Sequence, residues 1–154
     1  MLSAAGDIAF TGYNADGTDD LAFVTFVPIG VGETIYFADN EWNGTAFNTG
    51  ESYAIWTATT PVAAGTVITL SNFTGGATAS TGTLAPVSVP LSANRGLAAS
   101  GETVYAYLGT SATTPTVFLS AIANDAESAS TGLLTNTGLT YGTYAINLAG
   151  IDAG

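Results

Sequence analysis

The sequence predicts an all-β chain: a single β-sandwich, jelly-roll or immunoglobulin-like, of about eight to ten strands. Three observations predict it. Apolar and polar residues alternate with a period of two from one end of the chain to the other. Turn residues, many of them among the 19 glycines, interrupt that alternation at short intervals. No stretch carries a capped apolar stripe of 3.6-residue period, so helices are not expected.

In chain order, alternation marks strands at residues 7–13, 21–27, 34–39, 52–58, 67–73, 103–108, 117–122 and 144–148. Residues 84–89 and 133–134 are weaker candidates. Residues 75–83 are rich in Gly, Thr and Ser and precede Pro86 and Pro90, which predicts a flexible loop. A faint repeat runs through this order. Residues 28–37 resemble residues 61–70, and residues 97–105 echo both; in each copy a glycine (Gly32, Gly65, Gly101) feeds an alternating strand. The copies are too short for a solenoid and read as recurrent sandwich corners.

At 154 residues, one domain covering residues 1–154 is expected. Apolar residues make up 47% of the chain and charged residues 8%, so Thr, Ser, Asn, Gly and Ala must cover the surface. Such a surface is weakly defended against association. Twelve carboxylates face one base, Arg95, for a net charge of −11, and there is no Lys, His or Cys. Imidazole, thiolate and amine catalysis are therefore closed to the side chains, and so is a His/Cys zinc site. Nucleic-acid binding is excluded by charge. No apolar run approaches the roughly 18 residues of a membrane span, so no membrane insertion is expected. Residues 1–5 do not read as a secretory signal as they stand, so either a removed signal or an export route that needs none there is expected. Disulfides and lysine isopeptide links are unavailable, so any polymer must be non-covalent. Arg95 is the one side chain able to pair with an acid of a neighbouring copy.

Hard oxygen donors remain, and they suit calcium. Asn14, Asp16, Thr18, Asp19 and Asp20 surround Gly17 between the first two strands; an Asx turn is the competing reading. Asp39 and Glu41 leave the third strand together, with Glu51 a short loop away, and Asp125 and Glu127 follow residues 117–122. Alternate strand ends meet at one pole of a sandwich, where these acids would repel unless a cation joined them. The same carboxylates could in principle form a glycosidase pair, but nothing in their spacing selects one, and no enzyme is expected. Trp56 lies mid-strand, which points to the core. Trp42 is loop-borne and is the better candidate to contact a glycan.

Several segments together resemble a β-sandwich domain of bacterial secreted and surface proteins. They are residues 6–13, Phe23 with Val24, residues 32–42, 64–68 and 99–107. The resemblance implies the fold and an extracellular or cell-surface location, among large calcium-associated exoproteins of proteobacteria and cyanobacteria. It carries no catalytic set. The expected function is a structural protein that self-assembles into a filament or surface matrix. Its connector is expected to be a terminal strand, from Leu2 at one end or Ile146, Leu148 and Ile151 at the other, exchanged between copies with calcium assisting. The alternative is a calcium-dependent carbohydrate-binding or adhesion module whose partner is a surface glycan.

Overall fold

The structure, a computed structural model, describes residues 1–73, 76–92 and 96–150. Among these residues there is no helix, and ten strands occur. They are β1 (Ile8–Asn14), β2 (Asp20–Thr25), β3 (Thr34–Ala38), β4 (Tyr53–Thr57), β5 (Val67–Ser71), β6 (Thr78–Ala79), β7 (Thr83–Pro86), β8 (Thr103–Ser111), β9 (Thr114–Ala123) and β10 (Ala145–Asn147). A four-stranded sheet runs β1-β2-β5-β6, and a six-stranded sheet runs β10-β9-β8-β3-β4-β7. The chain is a single β-sandwich. The glycine- and threonine-rich stretch expected as a loop contributes the two-residue strand β6, whose Ala79 pairs with Leu70. Residues 133–134 form no strand; Leu133 N–H instead donates to Trp42 O at 2.9 Å.

The inner faces alternate as a half-buried pleat requires. Ile8 and Phe10 of β1, Leu21 and Phe23 of β2, and Ile68 and Leu70 of β5 meet Ile35, Phe37, Trp56 and Val104 of the larger sheet. Phe23 stands edge-on to Trp56 at 5.7 Å and Phe10 edge-on to Phe37 at 6.1 Å. Burying each such ring contributes about 2–3 kcal/mol by area.

The larger sheet is covered on its outer face as well. Trp42, Phe47, Tyr53, Tyr105, Tyr107, Phe118 and further residues build a second cluster there, carried by the segments 40–52 and 124–144. This double burial accounts for the unbroken buried run from Thr103 to Tyr107 in β8. It also accounts for the only parallel pair among the described strands. β10 returns beside β9 in the same direction after the 124–144 crossover, and parallel neighbours need a connection of that kind.

The repeated corners pair with one another. Ile29 and Val62 exchange two backbone hydrogen bonds of 2.9 Å. Gly32, Gly65 and Gly101 share the left-handed backbone conformation, with φ of 84°, 86° and 78°. Only glycine takes that conformation without strain, which is why one turn pattern recurs in all three copies.

The terminal segments expected to reach a neighbour are docked on their own sandwich. Leu2 is buried in the inner core, its N–H donating to Glu33 Oε1 at 2.8 Å. Ile146 and Leu148 pack against the same core, and Leu148 N–H donates to Ala123 O at 2.7 Å. An apolar side chain that the chain's own connections bring back to its sandwich is buried there without the entropy cost of capturing a second molecule. Ile151 and Arg95 lie outside the described residues.

Candidate functional site

The β1–β2 turn, the ends of β3, β5 and β9, and the starts of β4 and β8 lie at one pole of the sandwich. Strand parity puts acids there. Asp39 follows Phe37 by two residues and Glu102 precedes Val104 by two, so both continue the inward-facing rows past their strand ends. Glu51 arrives from the segment that leads into β4. One carboxylate oxygen from each of Asp39, Glu51 and Glu102 lies within 4.8 Å of the other two. Asp39 and Glu102 are 5% and 4% exposed, so water does little to screen their repulsion.

Hydrogen bonds satisfy this group only in part. Asp39 accepts from Ser52 N–H at 2.7 Å and from the Ser52 hydroxyl at 3.0–3.1 Å. Asn40 is fully buried; its side chain donates to Ser52 O and accepts from Glu51 N–H, both at 3.1 Å, which ties the base of the segment together. Glu102 Oε2 accepts from Ala98 N–H and lies 3.2 Å from the Tyr13 hydroxyl, while Glu102 N–H donates to Asn124 Oδ1 at 2.9 Å. Glu102 Oε1 is buried and has no hydrogen-bond partner.

Burial, more than any neighbour, disfavours ionisation here. It raises the Asp39 pKa to about 7 against the Ser52 hydrogen bonds, with the Glu51 charge adding to the rise. It raises Glu102 to about 8 against the Ala98 hydrogen bond, with Asp39 and Glu51 adding to the rise. Glu51 is raised by burial and by Glu41, and Tyr13 by burial and by Glu102. A cavity of about 10 Å³, the space of roughly one water, lies against Asp39, Ser52, Leu97 and Val104.

The other expected ligands do not join this group. Asn14, Asp16 and Thr18 close an Asx turn, with Asp16 N–H donating to Asn14 Oδ1 at 3.0 Å and Asn14 Nδ2 to Thr18 O at 3.1 Å. Asp19 is buried and accepts from Leu97 N–H at 2.9 Å; Asp20 accepts from Asn72 N–H at 3.0 Å. Asp19 and Asp20 are thus drawn to separate backbone segments, and the hairpin contributes no residue to the three-acid group. Asp125 accepts from Ala126 N–H and Glu127 from Leu134 N–H, each at 2.7 Å. Neither these two nor Glu41 belongs to the carboxylate group. Of the residues expected as metal ligands, Asp39 alone belongs to this group, where it is joined by Glu51 and by Glu102, which the sequence reading did not single out.

Trp42 is also placed differently. It is 6% exposed, packed 5.1 Å from both Phe47 and Phe118, with Nε1 donating to Thr135 O at 2.9 Å. Little of the ring reaches the surface, where it lines a cavity of about 300 Å³ with Pro115, Phe118 and Thr137. The loop-borne tryptophan is part of the outer cluster, because its loop folds back over the sheet. Comparison of the chain with protein-family models, with curated proteins and with solved structures finds no match.

The opposite pole is apolar. The turns after β2 and β4 flank a groove of about 600 Å³ lined by Met1, Pro28, Ile29, Pro61 and Ala63, with Glu33 at its side. Met1, Phe26, Val31 and Val67, all at this pole, are 82%, 58%, 62% and 52% exposed.

Proposed function

We propose that the chain is a structural, non-catalytic subunit of an extracellular or cell-surface assembly, and that its copies associate non-covalently. The observation that carries this reading is the exposure of Met1, Phe26, Val31 and Val67 at one pole, where Met1 also lines the groove. Exposed apolar side chains scattered singly need no explanation, whereas several gathered at one end mark an interaction surface. The turns that present them are held by backbone pairing of the repeated corners, so the surface is pre-formed and loses little freedom on binding. A net charge of −11, carried largely elsewhere, opposes contact between other faces and leaves the apolar pole as the favoured one. With no Cys and no Lys, side-chain disulfides and lysine isopeptide links cannot hold the assembly.

This reading moves the connector from a donated strand to a surface. The expected assay is sedimentation velocity across the micromolar range at physiological salt, with electron microscopy of the same samples. Wild-type protein should associate as its concentration rises, and the doubly substituted Phe26→Ser, Val31→Asp protein should remain monomeric. Both positions are exposed, so the variant should keep its Tm to within about 2 °C. Wild-type protein that stays monomeric throughout, with or without calcium, would sink the proposal.

A further inference from the structure

We propose that Asp39, Glu51 and Glu102 are the protein ligands of a divalent-cation site and that its ion is calcium. Three acids in proximity do not make such a site, since solvated carboxylates often lie close together. Here two of the three are almost fully buried, and one of those two, Glu102, has a buried oxygen, Oε1, with no hydrogen-bond partner. A carboxylate oxygen withdrawn from water without a donor is costly, more so beside like charges. Among the described residues no side-chain cation stands against it. The chain has no Lys and no His, and its one arginine, Arg95, lies outside the described residues. A divalent ion would serve as the missing partner for Glu102 Oε1 and offset the repulsion within the group.

The donor set selects the ion. Every available ligand is a hard oxygen: three carboxylates, with the Ser52 hydroxyl beside Asp39 and the Tyr13 hydroxyl beside Glu102. Without His or Cys the soft and borderline metals lose their preferred donors. Carboxylates arriving from three separate strand ends suit the irregular six- to eight-oxygen shell of calcium better than the strict octahedron of magnesium. The burial that raises Asp39 and Glu102 toward neutral pH describes the same cost as seen by a proton. The site also explains the architecture around it. Asn40 and Ser52 tie the segments of Asp39 and Glu51 to each other, Asn124 ties Glu102 to the end of β9, and a common ion would join these two pairs.

This proposal is independent of self-association, because a monomer can hold the ion. Its test uses the full chain freed of metal by chelation. Calcium at millimolar concentration should raise the Tm by about 5 °C or more, and magnesium at the same concentration by less than half of that. Terbium, an oxygen-seeking calcium substitute, should luminesce when tyrosine is excited, because Tyr13 adjoins Glu102, and calcium should displace it. Glu102→Gln keeps the side-chain shape and removes the charge. It should abolish the calcium shift while leaving the metal-free Tm equal to or above that of wild type, whereas a merely structural Glu102 would lower it. Glu51→Gln, at the half-buried position, should remain folded and bind calcium at least tenfold more weakly. Asp16→Asn, in the hairpin, should change nothing. Wild-type protein indifferent to calcium, a full calcium shift retained by Glu102→Gln, or a shift lost in Asp16→Asn would each overturn the proposal.

Discussion

Trp56 and Gly82 show how closely one side chain can depend on the lack of another. The indole is fully buried and its Nε1 donates to Thr81 O at 2.7 Å. A Cβ on Gly82 would fall 2.5 Å from Thr57 O and 2.7 Å from Trp56 Nε1, at a φ of +78°. Neither the strand carbonyl nor the packed ring can yield, so Gly82→Ala should destabilise the fold by about 3 kcal/mol, or roughly 10 °C in Tm. Gly65 provides the contrast. Its φ is +86°, yet nothing lies within 4 Å of the position its Cβ would take. Gly65→Ala should therefore cost only the left-handed strain of about 1 kcal/mol. Thermal denaturation followed by near-ultraviolet circular dichroism measures both, and equal losses would show that backbone strain alone decides. The carboxylate group also belongs to this scale. Its members were partly legible, because Asp39 shares the parity of Ile35 and Phe37, and Glu102 that of Val104 and Ala106. Extending the period of two by one step past each strand end would have placed both acids inside. Their meeting depends on β3 and β8 being neighbours, which no local pattern records.

Among elements, the N-terminal segment changes role most between sequence and structure. Leu2 sits in the inner core, Met1 and Leu2 donate backbone hydrogen bonds to Pro28 O and Glu33, and Ser3 and Ala4 N–H both donate to Asp7 Oδ2. Leu2→Ala should therefore cost about 2–3 kcal/mol in an isolated monomer, read as a lower urea midpoint at unchanged m-value. Were the segment instead exchanged between copies, the loss would appear only at concentrations where copies associate. Most strands were legible because their two faces differ. Where they do not, legibility fails for a physical reason. Residues 103–107 are buried on both faces, and their unbroken apolar run reports a second layer that alternation alone could not locate. That layer is built by segments 40–52 and 124–144, which lack strand or helix periodicity and are held by aromatic packing such as Phe47 on Tyr107 at 5.2 Å. The two residues of β6 are too few to show any period.

Taken whole, the molecule is polar in the literal sense, with buried acids at one end and an apolar groove at the other. The acid end makes stability depend on pH in a direction opposite to most acid-sensitive proteins. The pKa values of Asp39 and Glu102 are raised from 3.8 and 4.5 to about 7 and about 8 in the folded state. Between roughly pH 4 and 8 the folded chain therefore holds protons that the unfolded chain has released. The stability this confers is fully present below the unfolded values and is lost as pH rises through the folded ones. Metal-free protein should be most stable at about pH 4 or below and should lose stability steadily from there to about pH 8. The net charge of −11 acts in the same sense, since self-repulsion grows as the remaining acids ionise. Two controls separate the contributions. Added salt should screen the general repulsion and leave most of the slope above pH 6, because buried pairs are screened little. Glu102→Gln should remove much of that slope at any salt. Calcium should flatten it further, because the ion binds only the ionised carboxylates and so stabilises most where the protons have left. Calorimetry from pH 5 to pH 8.5, in chelator and then in calcium, decides the matter. A Tm in chelator that is level across that range would mean the acids at this pole are neither buried nor coupled as the fold places them.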